Sequence, residues 1–183
     1  YIGGESDIWV DQILSSLGDK KPRTLILIHS VNALPEEVVP GMQAEEESPT
    51  SGEDEVVYDE HIWTSPLNAI KMVDAITVAL SELDPAHAAD FENNRAALDQ
   101  KLQELDQTFR DIVKTAKRKT IIVGDRFPFR YLTEEYGLEY YAAFPGCSAE
   151  VEPSASTVAF LIEKVKAEKI PIVFYIEFST HKI

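Results

Sequence analysis

A helical pattern that runs without a break from residue 85 to residue 116 restricts the possible folds of this chain more than any other feature. Asp84 and Pro85 end one helix and cap the next. Apolar residues then recur at steps of three, four and seven. These residues are Phe91, Leu98, Leu102, Leu105, Phe109, Ile112 and Ala116. A helix of this length rises about 45 Å, more than the diameter of one small lobe. It can therefore pass from one lobe to another and act as a stiff spine that limits hinge motion.

Short β-prone runs alternate with helical patterns through much of the chain. The predicted strands are Thr24–His29, Thr120–Gly124, Leu138–Phe144 and Ile172–Glu177. The predicted helices cover residues 6–17, 66–83, 129–136 and 154–169. Strands that are separated by helices favour βαβ units, so the sequence predicts an α/β fold with a parallel sheet. Because the sequence stops soon after the last predicted strand, we expect this chain to be an incomplete part of a larger fold.

Composition and charge exclude several classes of protein. The formal net charge of −15 argues against binding to nucleic acid, whose phosphates would be repelled. No apolar run approaches the ~20 residues that span a bilayer, and the single cysteine, Cys147, excludes an internal disulfide. Ala44–Glu60 contains eight carboxylates and no basic residue. Such a segment cannot bury enough apolar surface to order itself. It either attracts cations or is only a solvated insertion.

One histidine, His61, closes this acidic segment. Directly after it, Ser65 and Pro66 open a helix with a hydroxyl N-cap and a proline at the first helical position. The imidazole therefore lies at the junction between a loop and a rigid element, where a metal ligand would be held in place. Alternatively, His61 is an ordinary surface or core histidine.

Three further candidate ligands, Asp125, Cys147 and Glu177, follow predicted strands. Open α/β sheets bind ligands in the loops at the carboxyl ends of their strands. Together with His61, these imidazole, carboxylate and thiolate groups suit zinc or manganese. Each candidate also has a structural explanation. Asp125 can cap the following helix or pair with the next residue, and Cys147 can be a small buried hydrophobe. Glu177 can bond to Lys182 or to a helix N-terminus.

The motifs of other chemistries are absent from the sequence. It contains no glycine-rich phosphate loop, no Gly-x-Ser-x-Gly elbow and no Cys-x-x-Cys pair. The His-Glu-x-x-His motif is also absent, so we do not expect a zinc protease. The remaining histidines, His29, His87 and His181, show no ligand spacing to another histidine.

Several motifs follow one another, in the order of one known family, over almost the whole chain. They are Gly3–Asp7 before Trp9, Asp59–Pro66 with Asn68–Ile70, Asp84–Pro85 with Phe91–Asn93, Tyr136–Leu138, Glu152–Ala155 and Phe174–Glu177. Each motif alone is weak, but the ordered set is specific. The set resembles the zinc- and manganese-specific substrate-binding proteins of bacterial ABC importers.

This resemblance implies two α/β lobes with parallel sheets, joined by one long helix and holding the metal in the cleft between them. Residues 1–84 would be part of the N-terminal lobe, residues 85–117 the linking helix and residues 118–183 part of the C-terminal lobe. The acidic loop, residues 44–60, would be the family's metal-collecting insertion. In zinc-binding members that insertion is usually rich in histidine, whereas here it contains none.

The resemblance also assigns ligands. It carries the family's second ligand, a histidine, onto His61. It places the first histidine upstream of Tyr1 and the last carboxylate beyond Ile183. The third ligand falls on Arg126, and arginine cannot ligate a metal. The site is therefore either rebuilt with the three other candidates named above or incomplete in this chain.

We therefore expect an extracytoplasmic receptor, periplasmic or anchored as a cell-surface lipoprotein, that hands Zn²⁺ or Mn²⁺ to the membrane permease of an ABC importer and performs no catalysis. A metal-dependent hydrolase is one alternative, and it would need a ligated water and a nearby general base. A surface adhesin that has kept the fold and lost the metal is another. Missing edge strands also predict self-association through exposed apolar edges.

Overall fold

The computed structural model describes residues 1–43, 56–146 and 152–176. These residues form the helices α1 (Ile8–Ser16), α2 (Pro66–Leu83), α3 (Ala88–Thr115), α4 (Arg130–Tyr136) and α5 (Ala155–Ala167). The strands are β1 (Thr120–Arg126) and β2 (Glu139–Phe144). Short 3-10 helices cover Glu5–Asp7, Gly18–Lys20, Leu27–Ser30, Ile62–Thr64 and Pro85–His87. No helix in these three ranges is both long enough and apolar enough to cross a membrane.

The sheet is parallel, as the alternation of strands and helices predicts. β1 pairs with β2 in a register that aligns Thr120 with Glu139, and α4 provides the connection between them. The predicted last strand reaches the other side of β1 at one residue of the described chain, Phe174. Its N–H donates to Ile122 O over 2.9 Å, and its carbonyl accepts from Gly124 N–H at 2.7 Å. These contacts place an α/β unit in the C-terminal part of the chain.

Other parts of the chain pack on both faces of this sheet, which explains why the strand sequences are mainly apolar. On one face, Phe127 and Tyr140 stack with ring centroids 3.7 Å apart, next to Met42. On the other face, Leu161 of α5 packs against Ile122. The buried strand ends are thereby fixed against residues from both the N-terminal and the C-terminal parts of the chain.

The long helix predicted from residue 85 to residue 116 is confirmed as a 3-10 turn followed by α3. With 28 residues, α3 alone rises about 42 Å. Near its start, Arg95 donates to Asp74 of α2 over 2.8 Å. Near its end, Arg110 donates to Glu135 of α4 over 2.6 Å, and the rings of Phe109 and Tyr136 lie 5.2 Å apart. α3 therefore connects α2 to the helix that lies between the two strands.

The prediction of a buried strand over Thr24–His29 is wrong. Part of this run bonds to residues 1 and 2, since Tyr1 N donates to Leu25 O over 3.1 Å, and Leu27 N–H and Ile28 N–H donate to the carbonyls of Tyr1 and Ile2, both over 2.9 Å. A 3-10 helix then begins at Leu27. The run therefore turns into a 3-10 helix after Ile26 and does not form a strand over its predicted length.

Candidate metal centre

The backbone around His61 is fixed by a turn that leads into α2. The His61 carbonyl accepts from Thr64 N–H at 3.1 Å and from Thr64 Oγ1 at 2.8 Å. Ile62 is fully buried and Ser65 is almost so. Ser65 Oγ then accepts from Asn68 N–H at 3.3 Å, so the predicted N-cap of α2 is confirmed. The histidine thus precedes a rigid helix, as its sequence context predicts.

A buried carboxylate, Asp59, orients the imidazole of His61. Asp59 Oδ1 accepts from the His61 backbone N–H at 2.8 Å and lies 3.0 Å from Nδ1. The Asp59 side chain is 2% exposed and that of His61 is 19% exposed. An ionised carboxylate only accepts hydrogen bonds, so in the neutral ring Nδ1 carries the proton and Nε2 carries the lone pair. This carboxylate–histidine arrangement is the one that prepares an imidazole for metal binding.

The neighbouring carboxylate, Glu60, serves a different purpose. Glu60 is buried, and its Oε1 accepts from Ser6 N–H at 2.6 Å. Its Oε2 accepts from the Ser6 hydroxyl. Glu60 therefore fixes the 3-10 turn that precedes α1. Residues 44–55 of the predicted acidic loop lie outside the described residues, and the expectation that the segment from 44 to 60 cannot order itself is wrong for Asp59 and Glu60, which are buried.

The end of β2 comes close to the imidazole at Gly146. A methyl group placed on Gly146 would lie 3.1 Å from both Cε1 and Nδ1 of His61 and 2.9 Å from Phe127 O. Only a residue without a side chain fits here unless one of these neighbours moves. The ring centroid of Trp63 also lies 5.4 Å from that of His61. His61 is therefore enclosed by residues from the two parts of the chain that α3 connects.

A charged cluster next to this site ties the segment before the acidic loop to the sheet. Arg130 donates to Pro35 O over 2.8 Å and to Glu37 Oε2 over 2.5 Å. The Tyr140 hydroxyl donates to the same Glu37 oxygen over 3.2 Å. Burial and the Glu37 charge raise the pKa of Tyr140, so its hydroxyl stays protonated and continues to donate.

Of the three other predicted ligands, only Asp125 lies within the described residues. Asp125 lies near the carboxyl end of β1, where its Oδ1 accepts from Arg126 N–H at 2.8 Å. Cys147 and Glu177 lie outside the described residues. Within residues 1–43, 56–146 and 152–176, no group of three or more His, Cys, Asp or Glu side chains could hold a metal ion. The assignment of Asp125, Cys147 and Glu177 as ligands stays a prediction.

Of the other histidines, His29 is exposed and His181 lies outside the described residues. His87 forms a second pair with a carboxylate, since its Nδ1 lies 2.7 Å from Asp84 Oδ2. This pair lies on the surface, with His87 61% exposed and Asp84 49% exposed. His87 thus pairs with an aspartate, as His61 does, but its ring is exposed to solvent.

Comparisons with known proteins give one family. The family model described as ZnuA, zinc-uptake complex component A periplasmic, matches residues 1–183. The zinc-binding lipoprotein AdcA of Streptococcus pneumoniae is 35% identical over 179 residues, which are 97% of this chain and 34% of AdcA. The high-affinity zinc uptake system protein ZnuA of Bacillus subtilis is 34% identical over 125 residues, 68% of this chain and 39% of that protein.

A solved structure agrees with these sequence matches. The Zn(II)-bound ZnuA-like domain of Streptococcus pneumoniae AdcA superposes with a TM-score of 0.66 at 34% identity. The superposition covers 91% of this chain and 55% of that domain. The chain therefore spans about a third of the length of AdcA and about half of its ZnuA-like domain.

Proposed function

The chain belongs to the family of zinc-uptake complex component A, and we propose that it is part of an extracytoplasmic receptor that binds Zn²⁺ or Mn²⁺ and delivers it to an ABC importer. The metal is the cargo of this protein, which performs no catalysis. The lipoprotein among its relatives supports a location outside the cytoplasm, in the periplasm or at the cell surface. The membrane permease of the importer is the partner that this function requires.

The observation that carries this proposal is the buried pair of Asp59 and His61. The 3.0 Å separation between Asp59 Oδ1 and His61 Nδ1 assigns the lone pair of the ring to Nε2. Nitrogen, together with oxygen from carboxylates, suits both Zn²⁺ and Mn²⁺. A thiolate from Cys147 would favour zinc, because manganese prefers oxygen ligands.

We propose that Asp125, Cys147 and Glu177 complete the site from the C-terminal part of the chain. Asp125 lies near the end of a strand in a parallel sheet, where ligands of open α/β sheets bind. Gly146, the residue directly before Cys147, lies next to the His61 ring. Residues 1–84 and 118–183 would then belong to two lobes on either side of the long helix. Self-association through exposed edges also stays a prediction, which light scattering would test.

Calorimetric zinc titration of the intact protein tests the role of His61. We expect His61→Ala to lower the affinity at least about tenfold, because a lost ligand removes a coordinate bond. His87→Ala is the matched control, since it removes an imidazole that is also paired with an aspartate but is exposed. We expect its affinity to equal that of the unmodified protein.

Two outcomes would contradict the proposal. Equal zinc affinity for His61→Ala and the unmodified protein would remove His61 from the site. An intact protein that contained no metal and took up neither zinc nor manganese on dialysis would contradict the receptor function itself.

A further inference from the structure

A short antiparallel pair of backbone segments lies directly beside the proposed site. Asp59 N–H donates to Leu34 O over 3.0 Å, and Glu36 N–H donates to Val57 O over 2.9 Å, with an antiparallel bridge between these two bonds. In a regular ladder of this kind, the two residues of each hydrogen-bonded pair exchange two N–H···O bonds. The second bond of the Leu34–Asp59 pair would run from Leu34 N–H to Asp59 O.

A tyrosine hydroxyl is inserted into this second bond. Leu34 N–H donates to Tyr131 Oη over 3.0 Å, and the Tyr131 O–H donates to Asp59 O over 2.7 Å. Tyr131 is 3% exposed, so bulk water does not replace it. The hydroxyl group therefore connects the two backbone groups and holds the two segments apart at this one position.

Asp59, which accepts this hydroxyl through its backbone carbonyl, also orients His61 through its side-chain carboxylate. Asp59 Oδ1 contacts both the backbone N–H and Nδ1 of His61. A shift of the Asp59 backbone therefore moves this carboxylate relative to the imidazole. We propose that Tyr131 is a positioning residue of the metal site, whose hydroxyl sets the place of Asp59 and so the orientation of His61. This inference rests on the function proposed for His61 as a metal ligand.

Contacts near Tyr131 hold α4 in place without its hydroxyl. Arg130 bonds to Pro35 O and to Glu37, and the Tyr131 ring belongs to a buried cluster with Ile28 and Ile62. Removal of the hydroxyl oxygen alone should therefore leave the helix docked. It would permit Leu34 N–H to bond directly to Asp59 O, which would draw residue 59 towards residue 34.

The variant Tyr131→Phe tests this role, with Tyr136→Phe as the matched control. Tyr136 is on the same helix and is also buried, but its hydroxyl donates to Asp106, over 3.1 Å, on α3. We expect calorimetry on the intact protein to show zinc affinity about three- to tenfold lower for Tyr131→Phe. This is less than the 10–100-fold typical for loss of a direct partner of a ligand. The control should keep its affinity, and an unchanged affinity in Tyr131→Phe would overturn the inference.

A measurement without metal separates this inference from the proposed function. Long-range ¹H–¹⁵N NMR spectra of the metal-free protein report which ring nitrogen of His61 carries the proton. We expect the Nδ1–H form in the unmodified protein and in Tyr136→Phe, and a mixture of the two forms in Tyr131→Phe. If the unmodified protein bound no zinc, the receptor function would fail while this comparison still decided the role of Tyr131. A lower stability with an unchanged His61 ring would show a merely structural role and overturn the inference.

If Tyr131→Phe does not fold, hydrogen exchange of the unmodified protein tests whether the Tyr131 hydroxyl accepts the Leu34 amide. In the unmodified protein, the Leu34 amide should exchange as slowly as the Glu36 amide, because Tyr131 Oη accepts it. A Leu34 amide that exchanged like an unprotected loop residue would exclude the inserted hydroxyl and overturn the inference.

Discussion

Two pairs of histidine and aspartate in this molecule have the same chemistry and different surroundings. Asp84 and His87 lie at the exposed junction of α2 and α3, whereas Asp59 and His61 lie in a buried turn. The exposed pair has the shorter separation, 2.7 Å against 3.0 Å. A short distance therefore does not identify a site. The enclosure of the ring and the burial of its carboxylate distinguish the two pairs.

The enclosure of His61 comes from distant parts of the chain. Asp59 is held by Tyr131, and the ring faces Gly146 near the end of β2. These contacts fix the carboxylate in a region of low dielectric constant, where its interaction with the imidazole is stronger than in water. The pair at the helix junction is exposed to solvent, which screens its charges.

The largest expected difference between the two pairs follows removal of the aspartate. Asp59→Ala deprives the His61 N–H and Nδ1–H of their acceptor. We expect zinc affinity to fall about 10–100-fold and the free energy of unfolding to decrease by about 1–3 kcal/mol. Asp84→Ala is the matched change, and it should leave zinc affinity unaltered because exposed pairs contribute little. Calorimetry and urea unfolding measure both effects. An equal loss of affinity in the two variants would remove the distinction between the pairs.

A smaller effect is expected from crowding the ring of His61. Gly146→Ala places a methyl group against His61 and 2.9 Å from Phe127 O, so backbone or ring must shift. We expect zinc affinity to fall about tenfold or less, because the His61 ring would be displaced. Gly137→Ala is the control, because Gly137 has a φ of 61° and no atom near its added methyl. It should lower stability by about 1 kcal/mol without changing zinc affinity. Normal zinc binding in Gly146→Ala would show that the ring is not confined.

The smallest effect concerns the second buried carboxylate beside the site. Ser6→Ala removes one of the two donors to Glu60. We expect the free energy of unfolding to decrease by about 0.5–1.5 kcal/mol, and zinc affinity to stay the same because Glu60 holds the start of α1. Thermal or urea unfolding alongside calorimetry checks both values. Weaker zinc binding in Ser6→Ala would mean that Glu60 also supports the proposed metal site.

The sequence predicts the elements whose determinants are local. Ser65 and Pro66 define the start of α2 because capping acts within one helical turn. The alternation of strands and helices likewise predicts the parallel pairing of β1 and β2. By contrast, Thr24–His29 has the composition of a strand, but its pairing depends on a partner that composition does not reveal.

The surroundings of the proposed metal site are predicted less completely than the fold, for the same reason. The motif around His61 identifies the histidine, but its orientation depends on Asp59. The Asp59 carbonyl accepts from the hydroxyl of Tyr131, which is 72 residues away in the chain. Composition places Asp59 and Glu60 in an acidic loop, since a count of charges carries no information on tertiary contacts. An aspartate two residues before a candidate histidine ligand is the one local signal that could have indicated the pair.

The position of Trp63 gives this protein an intrinsic optical probe of its site. The sequence contains two tryptophans, Trp9 on α1 and Trp63 beside the His61 ring, and both are about half exposed. The ring centroid of Trp63 lies 5.4 Å from that of His61, so we expect its fluorescence to change if the imidazole binds a metal cation. With Trp9 replaced by phenylalanine, the tryptophan emission of these 183 residues comes from the residue next to the proposed ligand. Binding and release of a metal at the proposed site could then be followed by fluorescence without an added label.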